Sequence, residues 1–271
     1  MANSPSGESL ITRVVRLLAV FPAHNVPLPV RVLSEEAHLP VSTTYRLLRE
    51  LESEDLVART EDGLWQQGNR LWEIASKGSH AQTLRDAALP PMEDLAANLH
   101  AHVSIGILDR NEVLYLERLN PHENTVNIIS VATRLPAHAT SSGLVLTAFG
   151  PPEGRDLMLR RNLQRYTDTT ITDPARLREA FARARRDGFI TSSGAMIPES
   201  TGISVPVFTD ANHVIAAVTV IVPLGEENLN VIVPQMRLCA RAIQRRHGSI
   251  PHDLLLMDRQ TNPEPENYLS R

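Results

Sequence analysis

The chain has 271 residues, 42% of them apolar, which is enough to build the cores of two ordinary domains. Its only cysteine, Cys239, excludes a disulfide framework and a cysteine-based structural zinc site, and no stretch approaches the roughly 18 apolar residues of a membrane span, so we expect a soluble cytoplasmic protein. The formal net charge of −4 argues against a protein that coats nucleic acid through a strongly basic surface.

The N-terminal part of the chain predicts three short helices. Residues 1–8 are polar and are expected to be disordered. A first helix is indicated by apolar residues at helical spacing, namely Leu10, Val14, Leu17, Leu18 and Phe21. A short second segment spans residues 30–37. Ser42 is predicted to cap a third helix that ends near residue 54.

A hairpin signal follows these helices, because Asp62-Gly63 separates two β-prone runs. Helices followed by a hairpin predict a winged helix-turn-helix. A helical stretch follows over residues 69–99, with interruptions at Gly78 and at Pro90-Pro91. It leads into a second region with a different sequence pattern. The predicted limits are 9–68 for the winged helix-turn-helix domain, 69–82 for a linker helix, 83–248 for a second domain and 249–271 for a flexible C-terminal tail.

The second domain is predicted to be α+β. Its strands are expected at residues 103–108, 113–119, 126–131, 202–208 and 214–222, with Asn111 in the turn between the first two. Asp173 and Pro174 are typical of the start of a helix, and Gly188 is typical of its end. A last helix places one apolar stripe on a single face, namely Ile232, Met236, Cys239 and Ile243.

The third helix of the first domain has the character of a DNA recognition helix. One face carries Ser42, Arg46, Arg49 and Ser53, and the opposite face carries Thr44, Leu47, Leu48 and Leu51. Residues 1–80 hold eight Arg or Lys and ten Asp or Glu, a net charge of −2, so DNA binding must depend on where the arginines lie. The first turns carry no acid, and the acids collect at the far end of the helix. The alternative is a surface helix with two solvated arginines.

Four segments resemble the IclR family of bacterial regulators. They are residues 39–51 (LPVSTTYRLLREL), 62–68 (DGLWQQG), 134–143 (RLPAHATSSG) and 205–208 (VPVF), and the likeness spans about residues 9–247 in the same order. The resemblance implies a winged helix, a linker helix and a GAF-like α/β effector-binding domain. It also implies a transcriptional regulator, expected to be a repressor, that binds a pseudo-palindromic operator in double-stranded DNA as a homodimer or dimer of dimers.

The resemblance also implies two sets of site residues. For DNA these are Ser42, Thr43, Thr44, Tyr45, Arg46, Arg49 and Arg59 on the wing. For a small-molecule effector they are Ala139, Thr140, Ser141, Ser142, Gly143, Gly202, Ser204, Thr219 and Ile221. Thr219 and Ile221 share one face of a strand, and the apolar helix that begins near Ser141 has free amide groups in its first turn. Ser141 is either only a helix cap or also a ligand contact.

The chain departs from the family pattern at several positions. His38 stands where glycine is frequent, Leu144 stands where a lysine is frequent, and acidic residues are missing near Gly194 and Ala195. With Ile221 and Val222 also apolar, we expect a small, partly apolar ligand, such as a ring or chain with one carbonyl or hydroxyl group. A bare carboxylate is disfavoured unless backbone amides neutralise it.

Enzymatic and metal-binding alternatives have little support. His138 near Ser141 and Ser142 suggests a hydrolase, but the chain lacks a Gly-x-Ser-x-Gly elbow. His100 and His102 share a strand face near the surface without the further ligands that zinc needs. No catalytic residue, metal or cofactor is therefore predicted. An interaction module that has lost DNA binding is a third alternative, which the acidic N-terminal balance favours.

Overall fold

A computed structural model describes residues 8–24, 26–76, 79–120 and 131–248. Contacts within the chain divide it into two compact units between Ser79 and His80. Each unit has its own hydrophobic core, one in the first and two in the second. Within the described ranges, none of the helices combines the length and apolar character needed to cross a bilayer.

The first unit is a winged helix. Its elements are α1 (Leu10–Leu18), a 3-10 turn (Phe21–Ala23), α2 (Val30–Glu36), α3 (Val41–Ser53), β1 (Val57–Arg59), β2 (Trp65–Gln67) and α4 (Asn69–Ser76). Strands β1 and β2 form the predicted antiparallel hairpin, and Leu28 bridges to Trp65 beside it. The core is formed by apolar side chains from all three leading helices and the hairpin, including Leu17, Leu33, Leu47, Leu51 and Trp65.

The start of α3 differs from the prediction. The helix begins at Val41 with Pro40 at the cap position, so Ser42 lies in the first turn and caps nothing. Pro40 has the extended backbone that suits a residue preceding a helix, and no side chain makes a capping hydrogen bond there. His38, in the turn before α3, has a φ of 51°, a left-handed conformation that glycine adopts without strain.

The second unit is built around one antiparallel sheet. Its elements are α5 (His80–Leu99), β3 (His102–Asp109), β4 (Glu112–Leu119), β5 (Arg134–Pro136), a 3-10 turn (Ala137–Ala139), α6 (Ser141–Phe149), α7 (Pro152–Arg160), α8 (Pro174–Asp187), β6 (Ile190–Ser193), β7 (Ser200–Phe208), β8 (Val214–Pro223) and α9 (Leu229–Gly248). The six strands lie in the order β5-β4-β3-β8-β7-β6, and every pairing is antiparallel.

Helices cover both faces of this sheet, and strand alternation decides what each face presents. Helices α5 and α9 pack on one face, against residues such as Val218 and Val220 of β8. Helices α6 and α8 pack on the other face, to which the alternate residues Thr219 and Ile221 belong. Ser204 of β7 and Thr219 of β8 therefore lie under α6.

The local signals of α8 and α9 are confirmed. The Asp173 side chain accepts a hydrogen bond from the Arg176 amide 2.9 Å away, and Pro174 is the first helical residue. Gly188 ends the helix with a φ of 73°, a conformation that is strained for residues with a Cβ. The predicted stripe of α9 is buried, Cys239 included.

Two other predictions need correction, and a third falls largely outside the described residues. Pro90 and Pro91 do not interrupt α5, because Pro91 and its neighbour Met92 are buried against the core and this packing offsets the lost amide hydrogen bonds. His102 is buried inside the sheet and not at the surface. The strand predicted at residues 126–131 lies outside the described residues except for Val131, which is exposed in a turn.

Candidate ligand pocket and nucleic-acid interface

A pocket lies on the face of the sheet that α6 covers. Its outline contains about 450 Å³ of empty space, part of which is open to solvent. The side chains and backbone that line it belong to the start of α6, to strands β4 to β8 and to the segment between β6 and β7. The lining residues are Tyr115, Leu135, Ala139, Thr140, Ser141, Ser192, Ala195, Met196, Ile197, Ser200, Gly202, Thr219 and Ile221.

Six of the nine residues predicted for the effector lie in this lining, namely Ala139, Thr140, Ser141, Gly202, Thr219 and Ile221. The other three, Ser142, Gly143 and Ser204, are buried behind it. Gly143 packs against the backbone of Ala137, where an added Cβ would lie 2.2 Å from the Ala137 carbonyl oxygen. Its glycine therefore serves close packing and not ligand contact.

The helix cap belongs to Thr140 and not to Ser141. The Thr140 hydroxyl accepts a hydrogen bond from the Gly143 amide at 3.1 Å and donates to the Pro136 carbonyl at 3.3 Å. Ser141 is the first residue of α6, so its hydroxyl is available for other partners. The interpretation of Ser141 as a plain cap is wrong.

A chain of hydroxyl groups forms the floor of the pocket. Ser204 Oγ donates to Ser141 Oγ at 2.8 Å, and it is also 2.7 Å from Thr219 Oγ1. Gly202 leaves room for this arrangement, because a Cβ on that residue would lie 2.6 Å from Ser141 Oγ. All four residues were predicted for the site from the sequence, whereas their hydrogen bonds to one another were not.

Tyr115 adds a phenol that the sequence analysis missed. Its hydroxyl lies 2.6 Å from Ser142 Oγ. Burial raises the pKa of Tyr115 to about 12, against the opposing effect of hydrogen bonds with Ser142 and Thr140. The phenol is therefore neutral at physiological pH. Its position in β4 gave no sequence signal, because an aromatic residue in a strand is usually plain core.

The pocket is lined without Lys, Arg, His, Asp or Glu among the described residues. Two residues that were expected to make it apolar do not reach it. Leu144 packs in the core between α6 and α8, and Val222 faces the α5 and α9 side of the sheet. Apolar contact comes instead from residues such as Leu135, Met196 and Ile221.

A short segment after β6 forms the rim, and the sequence analysis missed it as well. Ala195, Met196 and Ile197 line the pocket. The carbonyl of Ala195 accepts a hydrogen bond from Thr170 Oγ1 at 2.7 Å, and Thr167 Oγ1 donates to the Gly194 carbonyl at 2.7 Å. The threonine-rich run at residues 167–170 was the available signal.

The outer face of α3 presents the predicted arginines to solvent, but each contacts an acid of the same helix. Arg46 lies 2.7 Å from Glu50, and Arg49 lies 3.4 Å from Glu52. More than half of each arginine side chain is exposed. The predicted separation of these acids from the arginines is therefore incomplete.

The other residues predicted for DNA fall into three environments. Ser42 is exposed and Thr43 is half-buried. Thr44 is fully buried and its hydroxyl donates to the Pro40 carbonyl, so the expectation that it contacts DNA is wrong. Tyr45 is 41% exposed, with its ring edge-to-face against Trp65. Arg59, on the hairpin, stacks over the same indole with its guanidinium carbon 5.8 Å from the ring centre.

The geometry does not favour the alternative hydrolase and metal sites. His138 donates from Nε2 to the Gln164 carbonyl at 2.8 Å and is held by that contact, and it makes no hydrogen bond to a serine of the described residues. Across the part of the chain that the structure describes, no three His, Cys, Asp or Glu side chains converge on a metal position. Burial raises the pKa of the Cys239 thiol to about 12, which keeps it protonated and unreactive.

Two family models match the chain. The model described as the C-terminal domain of the bacterial transcriptional regulator IclR matches residues 77–245. The model described as the IclR helix-turn-helix domain matches residues 10–61. Between them the two models leave out residues 62–76, which include β2 and α4, and the ends of the chain.

Individual relatives agree with these models. The HTH-type transcriptional repressor AllR of Klebsiella pneumoniae is 26% identical over 254 residues, which cover 92% of this chain and 93% of the repressor. A crystal structure of an IclR homolog from Microbacterium hydrocarbonoxydans, complexed with 4-hydroxybenzoate, is 38% identical with a TM-score of 0.82 and covers 88% of this chain and 99% of that one. An IclR homolog from Microbacterium sp. strain HM58-2 is 36% identical with a TM-score of 0.57, over 88% of this chain and 97% of its own.

Proposed function

Because the chain belongs to the IclR family of bacterial transcriptional regulators, we propose that it is a repressor that releases its operator when a small aromatic molecule enters the pocket under α6. The family makes it a DNA-binding regulator with an effector-binding C-terminal domain, and not an enzyme. The repressor AllR supports the direction of regulation. We propose that it acts in the cytoplasm, because a bacterial regulator of this kind must reach the chromosome.

The operator is proposed to meet the exposed face of α3. Arg46 and Arg49 reach base edges or phosphates once they leave their acidic partners, and Ser42, Thr43 and Tyr45 contact DNA near the start of the helix. Thr44 has no part in this contact because it is buried. Arg59 supports the wing through Trp65 and lies near enough to solvent to add a phosphate contact.

The chemistry of the pocket carries the proposal for the effector. Its polar groups are hydroxyls, and its walls are otherwise small or apolar. A charged ligand group there would have no side-chain counter-ion, so a carboxylate must be met by hydroxyls, by amides at the start of α6 or by water at the mouth. The 38% identical relative was crystallised with 4-hydroxybenzoate, a ring with one hydroxyl and one carboxylate. We propose an effector of this class.

A second copy of the chain is proposed to cover exposed apolar side chains of the first unit. Ile11 and Val15 of α1 are 74% and 59% exposed, and Trp72 and Ile74 of α4 are 73% and 61% exposed. Such surfaces on a single subunit indicate an association site. One short recognition helix also offers little specific contact, so we propose a homodimer or dimer of dimers on a pseudo-palindromic operator. Sedimentation of Trp72→Ala beside wild type tests this, and an equally large assembly in both would contradict the assigned surface.

The effector proposal is tested with Ser141→Ala and Thr219→Val. We expect 4-hydroxybenzoate to raise the melting temperature of wild type, to bind measurably in calorimetry and to lower operator affinity in fluorescence anisotropy by about 5- to 150-fold. Both variants should bind it more weakly. Thr147→Val is the matched control, because Thr147 is buried in the same helix, lines no part of the pocket and has an unpartnered hydroxyl. Wild-type behaviour in both pocket variants would refute the location.

A further inference from the structure

The hydroxyl chain under α6 has a defined direction. Ser204 is fully buried, and its Oγ donates to Ser141 Oγ. A serine hydroxyl has one proton, so Ser204 cannot also donate to Thr219. The 2.7 Å contact between Ser204 and Thr219 is then made by the Thr219 proton.

This direction gives the two pocket-lining hydroxyls opposite roles. Ser141 accepts from Ser204 and keeps its own proton, so toward the pocket it is a donor. Thr219 donates its proton to Ser204, so toward the pocket it can act only as an acceptor. The two oxygens lie 2.8 and 2.7 Å from the same Ser204 oxygen, so one ligand oxygen between them can reach both.

A hydroxyl group is the ligand group that satisfies such a pair, because one oxygen both accepts and donates. Resting on the proposed function, we propose that Ser204 is a positioning residue that makes the pocket selective for an effector hydroxyl, held between Ser141 as donor and Thr219 as acceptor. The bound hydroxyl completes a ring of four hydroxyls in which each one donates a hydrogen bond to the next. Each bond in such a ring strengthens the next.

Other groups fit the pair poorly. An ether oxygen accepts from Ser141 but turns lone pairs toward Thr219, and a carboxylate does the same with a full charge. A ligand with hydrogen at this position leaves the Ser141 proton unpaired in a buried place. The pocket therefore selects its ligand by the donor and acceptor pattern of the hydroxyls and not by charge. The carboxylate of a hydroxybenzoate is placed elsewhere, because a group in the para position lies too far across the ring to share the pair.

The test compares wild type with Ser204→Ala by calorimetry, using 4-hydroxybenzoate, 4-methoxybenzoate and benzoate as probes. Removing the Ser204 hydroxyl frees the Thr219 proton, so the methoxy oxygen gains a donor and the hydroxyl loses its unique fit. We expect wild type to prefer the hydroxy over the methoxy compound by about 30-fold or more, within the range for leaving a buried polar group unpaired. The ratio should fall by about tenfold in Ser204→Ala. The size of the methoxy group cancels because the same ligands are compared in both proteins.

Controls separate hydrogen-bond direction from pocket damage. Benzoate should bind both proteins with similar affinity, and Ser204→Thr, which keeps a hydroxyl, should keep the wild-type ratio. An unchanged hydroxy-to-methoxy ratio in Ser204→Ala would overturn the inference, as would an equal loss of affinity for all three probes. Selective binding without any change in operator affinity would refute the proposed function and leave the inference standing. If none of the probes binds wild type, both are wrong.

Discussion

In our proposals, the exposed face of α3 and the floor of the pocket under α6 recognise their targets in opposite ways. On α3 the interacting groups are full charges, exposed to water and paired with acids one turn away, as Arg46 is with Glu50. In the pocket the groups are neutral hydroxyls, which are buried and hydrogen-bonded to one another through Ser204. Exposed ion pairs are worth little and exchange readily, whereas a buried hydroxyl that loses its partner is costly. We therefore expect the arginines of α3 to exchange their acidic partners for DNA, and the pocket to exclude ligands that leave a buried hydroxyl unpaired.

The largest expected effect tests the adaptable surface. Arg46→Ala and Arg49→Ala should each weaken operator binding by about 1 to 3 kcal/mol, because each removes a contact to a base edge or phosphate. Neither should unfold the protein, since both side chains are exposed. Fluorescence anisotropy on the operator measures the loss. Arg186→Ala, which removes an exposed arginine from the second unit, is the control and should leave operator affinity unchanged. Full operator affinity in both folded α3 variants would show that this helix does not lie in a DNA groove.

The next effect tests the rigidity of the pocket. Gly202→Ala places a methyl group at the position 2.6 Å from Ser141 Oγ, so the hydroxyl chain must move. We expect a loss of about 1 to 3 kcal/mol in stability, the usual cost of overpacking, together with weakened effector binding. Gly154→Ala on α7 is the matched control, because nothing lies within 4 Å of the added Cβ. Urea unfolding and calorimetry measure the two losses. A Gly202→Ala protein that binds effector like wild type would show that the floor is adaptable too.

A smaller effect follows from the buried phenol. The pKa of Tyr115 rises from 10.0 to about 12 in the folded chain. Between these values the unfolded chain releases the proton and the folded chain keeps it, so Tyr115 makes stability fall as the pH rises above about 10. The loss amounts to about 1 kcal/mol per pH unit in that window. Urea unfolding at pH 9 and pH 11 should show a shallower decline in Tyr115→Phe than in wild type. Parallel declines would mean that Tyr115 ionises as freely in the fold as outside it.

The smallest expected effect returns to α3. Glu50→Gln removes the acid that holds Arg46 and a negative charge that DNA repels. An exposed pair one turn apart stabilises a helix by only about 0.3 to 0.5 kcal/mol, so we expect unchanged folding. Because the variant frees Arg46 and removes a negative charge, we expect operator affinity to rise by roughly two- to fourfold. Glu73→Gln on α4 changes the net charge equally and is the control. A gain of the same size in both would indicate a general charge effect and not the release of Arg46.

Much of the fold was predictable because its signals are local. The α8 helix was fixed by a capping Asp173, a following proline and a terminal Gly188, all within its own ends. The alternation in β8 placed Thr219 and Ile221 on one face without knowledge of its neighbours. The predictions failed where distant contacts outweighed local preference, as in α5, where burial of Pro91 against the core keeps the helix continuous.

The sequence by itself determined which residue types stand at the start of α6, on the outer face of α3 and along the two strands beneath the pocket. Only the tertiary structure decided how they work together. Ser141 and Ser204 are 63 positions apart, and no spacing rule links them. Their contact exists because the sheet order brings β7 beside β8 under the first turn of α6. The same packing buried Ser142 and Gly143 and brought Tyr115 and Met196 into the lining, because the direction of a side chain is set by the elements packed against it.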